Sequence, residues 1–153
     1  MRDNKMSSKQ VHGRCHCGQI EIFATVNTDK VMACHCSDCQ TFSGAPYRAV
    51  VMVPAADIRI EGEPREYVKV ADSGNKRFQA FCPNCGTQLY AADADKTIYN
   101  VRTGFLDAHS DLHPVKHIFG QSAVSWVHDL SEVPWHETGL NSILCDPKTG
   151  QPL

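Results

Sequence analysis

The residues in this chain best equipped for chemistry are its cysteines. Seven of the eight fall in three short clusters: Cys15 and Cys17; Cys34, Cys36 and Cys39; Cys82 and Cys85. Cys145 stands alone. Thiolates so spaced suit zinc, which takes tetrahedral sulfur ligation at about 2.3 Å. Cys82-Pro83-Asn84-Cys85-Gly86 has the form of a zinc knuckle. Two intervening residues let the backbone turn both sulfurs toward one ion, and Gly86 can take positive φ as the chain leaves. Cys15-His16-Cys17-Gly18 repeats the design with one residue fewer, its two sulfurs on one face of extended backbone and His16 on the other. A knuckle supplies two ligands. Pairing Cys15 and Cys17 with Cys82 and Cys85 gives a closed structural site that clasps the N-terminal strand to the middle of the chain.

Cys34-His35-Cys36-Ser37-Asp38-Cys39 is a different arrangement, with three potential ligands in six residues. Zinc prefers four, so the last position falls to water, a substrate or a distant side chain. Three protein ligands and an open position mark a catalytic zinc, whereas closure by Cys145 or a histidine would make a second structural one. Three thiolates make zinc a weak Lewis acid toward water and match it to a soft fourth ligand such as another thiol, which it would hold as thiolate. The expected chemistry is a thiol substrate attacking a small electrophile. His35, lying between two ligands, should turn its ring away from the ion they share. His109, His113 and His117 are spaced four apart, but Pro114 breaks the helix that would align them, so no third metal site is expected. Ser43 and Gly44, just after the triad, are placed either to contact a thiol ligand or to form a tight turn into the next strand.

The elements that must position these residues read as mainly β. Gln19 to Val26 puts Ile20, Ile22, Ala24 and Val26 on one face by alternation. Tyr47 to Val53 is an apolar run that ends at Pro54 and suits a buried strand. Asp57 to Ile60, Arg65 to Val70, Arg77 to Phe81, Gln88 to Ala91 and Thr97 to Thr103 are further short strands, with turns at Gly62-Glu63-Pro64 and Ser73-Gly74-Asn75. Only Ser37 to about residue 43 looks helical, with Ser37 as its cap and Gly44 as its stop. Residues 1–10 read as a flexible leader, 11–137 as a single zinc-binding domain and 138–153 as a tail.

Composition narrows the function classes. A length of 153 residues suits one domain, and 42% hydrophobic content supports a modest core. The net charge is −2, and seven thiolates holding two doubly charged ions would bring it to about −5. No basic run appears, which argues against nucleic acid as a partner. No apolar run approaches the roughly 20 residues of a membrane span, and the N-terminus has no signal-like apolar stretch. The expected location is cytoplasmic, where eight cysteines point to metal rather than to disulfides.

The stretches GRCHCGQIEI (13–22), ACHCSDCQTFSGAPY (33–47), RFQAFCPNCGTQLY (77–90), VRTGFLD (101–107) and HPVKHIFGQSAVSW (113–126) resemble the glutathione-dependent formaldehyde-activating enzyme family, which includes the centromere-protein-V group. The likeness spans about residues 12–137. It implies several coiled antiparallel β-sheets around two zinc ions. The structural ion would sit on Cys15, Cys17, Cys82 and Cys85, the catalytic one on Cys34, Cys36 and Cys39. It also implies a carbon–sulfur lyase that joins glutathione, as co-substrate, to formaldehyde, giving S-(hydroxymethyl)glutathione. The partners would be a small-molecule thiol and an aldehyde. The alternative is a non-catalytic zinc protein that binds glutathione or a protein partner.

Overall fold

A computed structural model describes residues 7–153 of the chain. β1 (Ser8–Arg14) and β2 (Glu21–Asn27) form an antiparallel hairpin with His12 opposite Phe23. β3 (Val31–Cys34) leads through Cys36 into α1 (Ser37–Ser43), the one α-helix among the described residues. β4 (Arg48–Pro54), β5 (Ile58–Glu61), β6 (Arg65–Val70), β7 (Lys76–Phe81), β8 (Gln88–Asp93) and β9 (Ile98–Arg102) follow in quick succession. β10 (Lys116–Ile118) comes after a loop, and β11 (Trp135–His136) pairs with β12 (Leu144–Cys145) near the end.

These strands make three sheets. β1, β2 and β5 form a three-stranded antiparallel sheet. The larger one runs β10-β3-β4-β9-β8-β7-β6, and β11-β12 is a separate two-stranded ribbon. Every pairing is antiparallel except β10 with β3, which sets Ile118 beside Cys34. The core lies between the two larger sheets. Ile20, Ile22, Ala24 and Val26 are all buried, as alternation requires, against Val51, Val53, Leu89 and Val101. On the opposite face of the small sheet, polar and aromatic side chains ladder across the strands. The His12 ring stacks on Phe23 at 4.4 Å, and the Arg59 guanidinium lies over that same ring at 4.2 Å.

The mainly β reading with one short helix at 37–43 holds. The details of three elements differ. Residues 1–6 lie outside the described residues, but Ser8–Gln10, read as the end of a leader, already belong to β1, because backbone pairing with Thr25–Asn27 extends the hairpin past its apolar part. The helix is capped not by Ser37 but by Cys36, whose Sγ accepts from the Cys39 N–H at 3.3 Å; Gly44 does end it, in left-handed conformation at φ 64°. The stretch 138–153 contains β12, and Cys145 within it is buried.

Candidate functional site

The two knuckles are built alike. At the first, the Cys15 N–H donates to the Ile20 carbonyl and the Gly18 N–H to the Cys15 carbonyl, both at 2.9 Å. At the second, the Cys82 N–H donates to Thr87 and the Gly86 N–H to Cys82, again both at 2.9 Å. Gly18 at φ 81° and Gly86 at φ 76° make the left-handed exit in each. A shift in register at Ala80/Phe81, between β7 and β8, precedes the second knuckle and aims it at the first. Thr87 joins them: its Oγ1 accepts the His16 N–H at 3.0 Å and sits 3.2 Å from the Cys85 sulfur.

The sulfurs of Cys15, Cys17, Cys82 and Cys85 lie within 4.8 Å of one another. Cys15 and Cys17 are 3.6 Å apart, Cys17 and Cys82 3.7 Å. A tetrahedron with zinc–sulfur bonds of about 2.3 Å has edges of about 3.8 Å, so the donor set fits a zinc ion in both chemistry and size. The Thr87 hydroxyl and then the Thr87 N–H hold the Cys85 thiol down, to a pKa of about 5.

The sulfurs of Cys34, Cys36 and Cys39 also converge within 4.8 Å, and no fourth ligating side chain among the described residues joins them. β3 presents Cys34, the residue before the helix presents Cys36, and the first turn of α1 brings Cys39 back. Cys145 is not part of this group; it lies in β12, its thiol turned to the Ile143 carbonyl. The histidines do not close it either. His35 is buried with its ring away from the sulfurs, its Nε2 sharing a hydrogen bond of 2.8 Å with Nδ1 of His117 on β10. The His35 N–H donates to Ile118, and the Gln40 amide donates to both the His35 and Ser122 carbonyls, so the cysteine loop is tied to the segment after β10.

The three sulfurs open onto a cavity of about 230 Å³. Its floor is one face of the seven-stranded sheet, carrying Arg48 and Val50 from β4, Asn100 and Arg102 from β9, and Gln79 from β7. Phe119 stands at its edge, exposed and held at φ 55°, a conformation costly for a residue with a Cβ. Arg48 lies directly opposite Cys34 across the β3–β4 ladder. Burial pushes the Cys34 thiol up to about 12. Burial works against the Cys39 thiolate too, but hydrogen bonding within the triad and from Arg48, with the Arg48 charge, leaves that thiol below its ordinary value. Burial, and then the charge of Arg48, pushes Arg102 down to about 9, still protonated at neutral pH.

Ser43 and Gly44 are not among the residues of this cavity. The Ser43 hydroxyl donates to the Cys39 carbonyl at 2.6 Å, and Ser43 lines a neighbouring opening with Phe42, Tyr47 and Arg48. The arginines, Gln79 and the His35–His117 pair escaped the sequence reading. A signal for the arginines was present, since each stands at the end of a mostly apolar strand, Arg48 opening β4 and Arg102 closing β9.

The match to a family model for the glutathione-dependent formaldehyde-activating enzyme runs from residue 10 to residue 122 and takes in both cysteine groups. The chain belongs to that family. An uncharacterized lyase of Schizosaccharomyces pombe is 30% identical over 83 residues, which are 54% of this chain and 58% of that protein. The chain therefore spans little more than half of that curated relative. A crystal structure of a Rhodobacter sphaeroides protein superposes with a TM-score of 0.54 at 21% identity, over 69% of this chain and 98% of that one, and shares its fold. No helix among the described residues is long and apolar enough to cross a membrane.

Proposed function

We propose that the chain is a zinc-dependent carbon–sulfur lyase that joins glutathione, or a similar thiol, to formaldehyde or another small aldehyde, and reverses the same step. The observation that carries this reading is the contrast in closure between the two sulfur sets. One brings four sulfurs together, while the other stops at three ligands beside a cavity. A zinc ion held by Cys34, Cys36 and Cys39 would supply an acceptor that keeps a thiol as its nucleophilic thiolate. A second, on Cys15, Cys17, Cys82 and Cys85, would be structural.

The chain's own residues do the rest. Cys36 caps α1 through its sulfur, which fixes the triad relative to the sheet floor. Arg48 and Arg102 give the cavity a cationic floor that favours an anionic sulfur over a neutral one. In the bond-forming direction, thiolate sulfur attacks the carbonyl carbon, the C–O π pair moves to oxygen, and that oxygen takes a proton. Holding thiol and aldehyde side by side replaces a bimolecular encounter by a local one. The opening lined by Ser43 gives the rest of a thiol peptide a place outside the cavity. This chemistry needs reduced thiols, and the cytoplasm, which keeps thiols reduced, is the compartment proposed for it.

The test is zinc per chain by elemental analysis and by sulfur-sensitive X-ray absorption, with and without glutathione, followed by NMR exchange between formaldehyde and S-(hydroxymethyl)glutathione. Two ions, one of which changes coordination on adding glutathione, together with accelerated exchange, are expected. Two ions indifferent to glutathione, with no acceleration, would replace this reading by a structural zinc protein that binds a partner.

A further inference from the structure

The floor of the cavity holds buried guanidinium donors that one sulfur cannot satisfy. Arg48 and Arg102 are each more than nine-tenths buried. Among the described residues neither has a carboxylate partner. Instead they share one neutral acceptor: the Gln79 side-chain oxygen takes Arg48 Nη1 at 3.2 Å and Arg102 Nη2 at 2.9 Å. Arg48 has a second neutral acceptor, Gln88, at 3.1 Å, and Arg102 reaches the Asn100 carbonyl at 3.3 Å. The Nε atoms of both arginines and the side-chain oxygen of Asn100 are buried with no partner at all.

Burying two like charges around a single amide is unfavourable unless something anionic joins them. A doubly charged ion on three thiolates brings a net charge of about −1, and a substrate thiolate bound there would bring it to about −2, equal in number to the two guanidinium charges, so what remains unmet is hydrogen bonding rather than charge: both Nε–H groups have no acceptor. The donors also have a shape. Two guanidinium planes converging on one point offer several N–H groups to a planar acceptor with two oxygens, and a single sulfur cannot satisfy them.

We infer that the Arg48–Gln79–Arg102 floor is a carboxylate subsite, and that a substrate of the three-cysteine site carries a carboxylate one or two carbons from its reacting atom. The cavity is small, and Arg48 lies opposite Cys34 across the β3–β4 ladder, so the acid group must sit close to the reacting centre. Free formaldehyde offers no such group, and in glutathione the nearest carboxylate is several bonds from sulfur. The carboxylate belongs either to a short mercapto acid or to an oxo acid, two sources of one chemistry. The inference rests on the reading above that a thiol and an aldehyde meet at the three cysteines.

The test measures dissociation constants by titration calorimetry on the full zinc-loaded chain. It compares mercaptoacetate with 2-mercaptoethanol, and glyoxylate with glycolaldehyde. Each pair differs only in the carboxylate. At least one acid is expected to bind about tenfold or more tighter than its neutral counterpart, and the pair that shows the preference names the source. Arg102→Met should reduce that preference to threefold or less at unchanged zinc content, and Arg102→Lys should retain part of it. Absence of preference in both pairs overturns the inference whatever the variants do, and so does a preference that survives Arg102→Met. Thiols that bind equally well with no preference leave the thiol reading standing and remove the subsite. Tight glyoxylate binding with no affinity for either thiol keeps the subsite and removes the thiol reading.

Discussion

The two sulfur sets lie in one short chain and differ in nearly everything but their ligands. The four-cysteine set joins segments 65 residues apart, backed by Ile20, Ile22 and Leu89 of the core. The three-cysteine set comes from one local segment, at the end of a strand, over a floor of arginine and glutamine. Around the first, the N–H groups of Cys15, Gly18, Cys82 and Gly86 all donate to carbonyls of their own knuckle turns, and that of His16 to Thr87 of the other. Around the second, polar groups are buried without partners. A domain stores unsatisfied groups where a ligand can complete them, and it closes the site that only has to hold.

The sharpest way to break the comparison is to remove one sulfur from each set. Cys82→Ser should unfold the chain, since structural zinc contributes about 10 kcal/mol or more to small domains of this kind. Cys34→Ser or Cys39→Ser should leave the circular dichroism spectrum and a cooperative melt in place while abolishing thiol-dependent exchange. Equal loss of fold in both sets would erase the distinction.

Next in size is Gly62. Its φ is +89°, and a Cβ there would sit 2.5 Å from the Gln19 carbonyl, on the chain leaving the first knuckle. Gly62→Ala should cost about 2–3 kcal/mol in urea melts and should loosen the four-cysteine zinc, seen as faster release to a chelator, without altering thiol binding at the other set. His117→Ala is the counterpart for the three-cysteine side. It strands the buried His35 Nε2 and should cost about 1–3 kcal/mol, with weaker thiol binding and an unchanged rate of zinc release from the knuckles. The smallest effect belongs to Tyr90, away from both sets. Its hydroxyl donates to Glu66 at 2.9 Å, and burial, then Glu66, raises its pKa above the ordinary 10. A raised acid contributes stability fully below the unfolded value and loses it as pH climbs. Tyr90→Phe should therefore be less stable than wild type by about 1 kcal/mol at neutral pH, and the gap should shrink above pH 10, as read by urea midpoints across that range. A gap that widened would reverse the sign.

Much of this was legible from residue order, for identifiable reasons. Alternation placed Ile20, Ile22, Ala24 and Val26 on the buried face because a half-buried strand has period two. Spacing grouped the cysteines as the geometry does, since a short chelating segment leaves few other ways to face one ion. What escaped depended on distant register. Arg48 meets Cys34, and Arg102 meets Val50, only through the β3–β4 and β4–β9 ladders, which no local pattern specifies. His35 finds His117 through the one parallel pairing in the larger sheet. Ser37 was the ordinary choice for a helix cap, but the preceding cysteine sulfur occupies that role.

The unequal reach of the two sulfur sets bears on how the protein is made. A ribosome delivers the chain from its N-terminus. Cys34, Cys36 and Cys39 emerge together, so their chelate is complete more than 40 residues before Cys82 is synthesised. The knuckle at Cys15 and Cys17 must wait for Cys85, and through that interval its two thiols stand free beside a finished three-sulfur set in need of a fourth ligand. Early metal would find five sulfurs rather than seven, and the wrong partnership would be available before the right one. The short interval is thus a point of kinetic competition between native and crossed ligation, decided by how quickly the β1–β2 hairpin folds and carries Cys15 and Cys17 away from the triad.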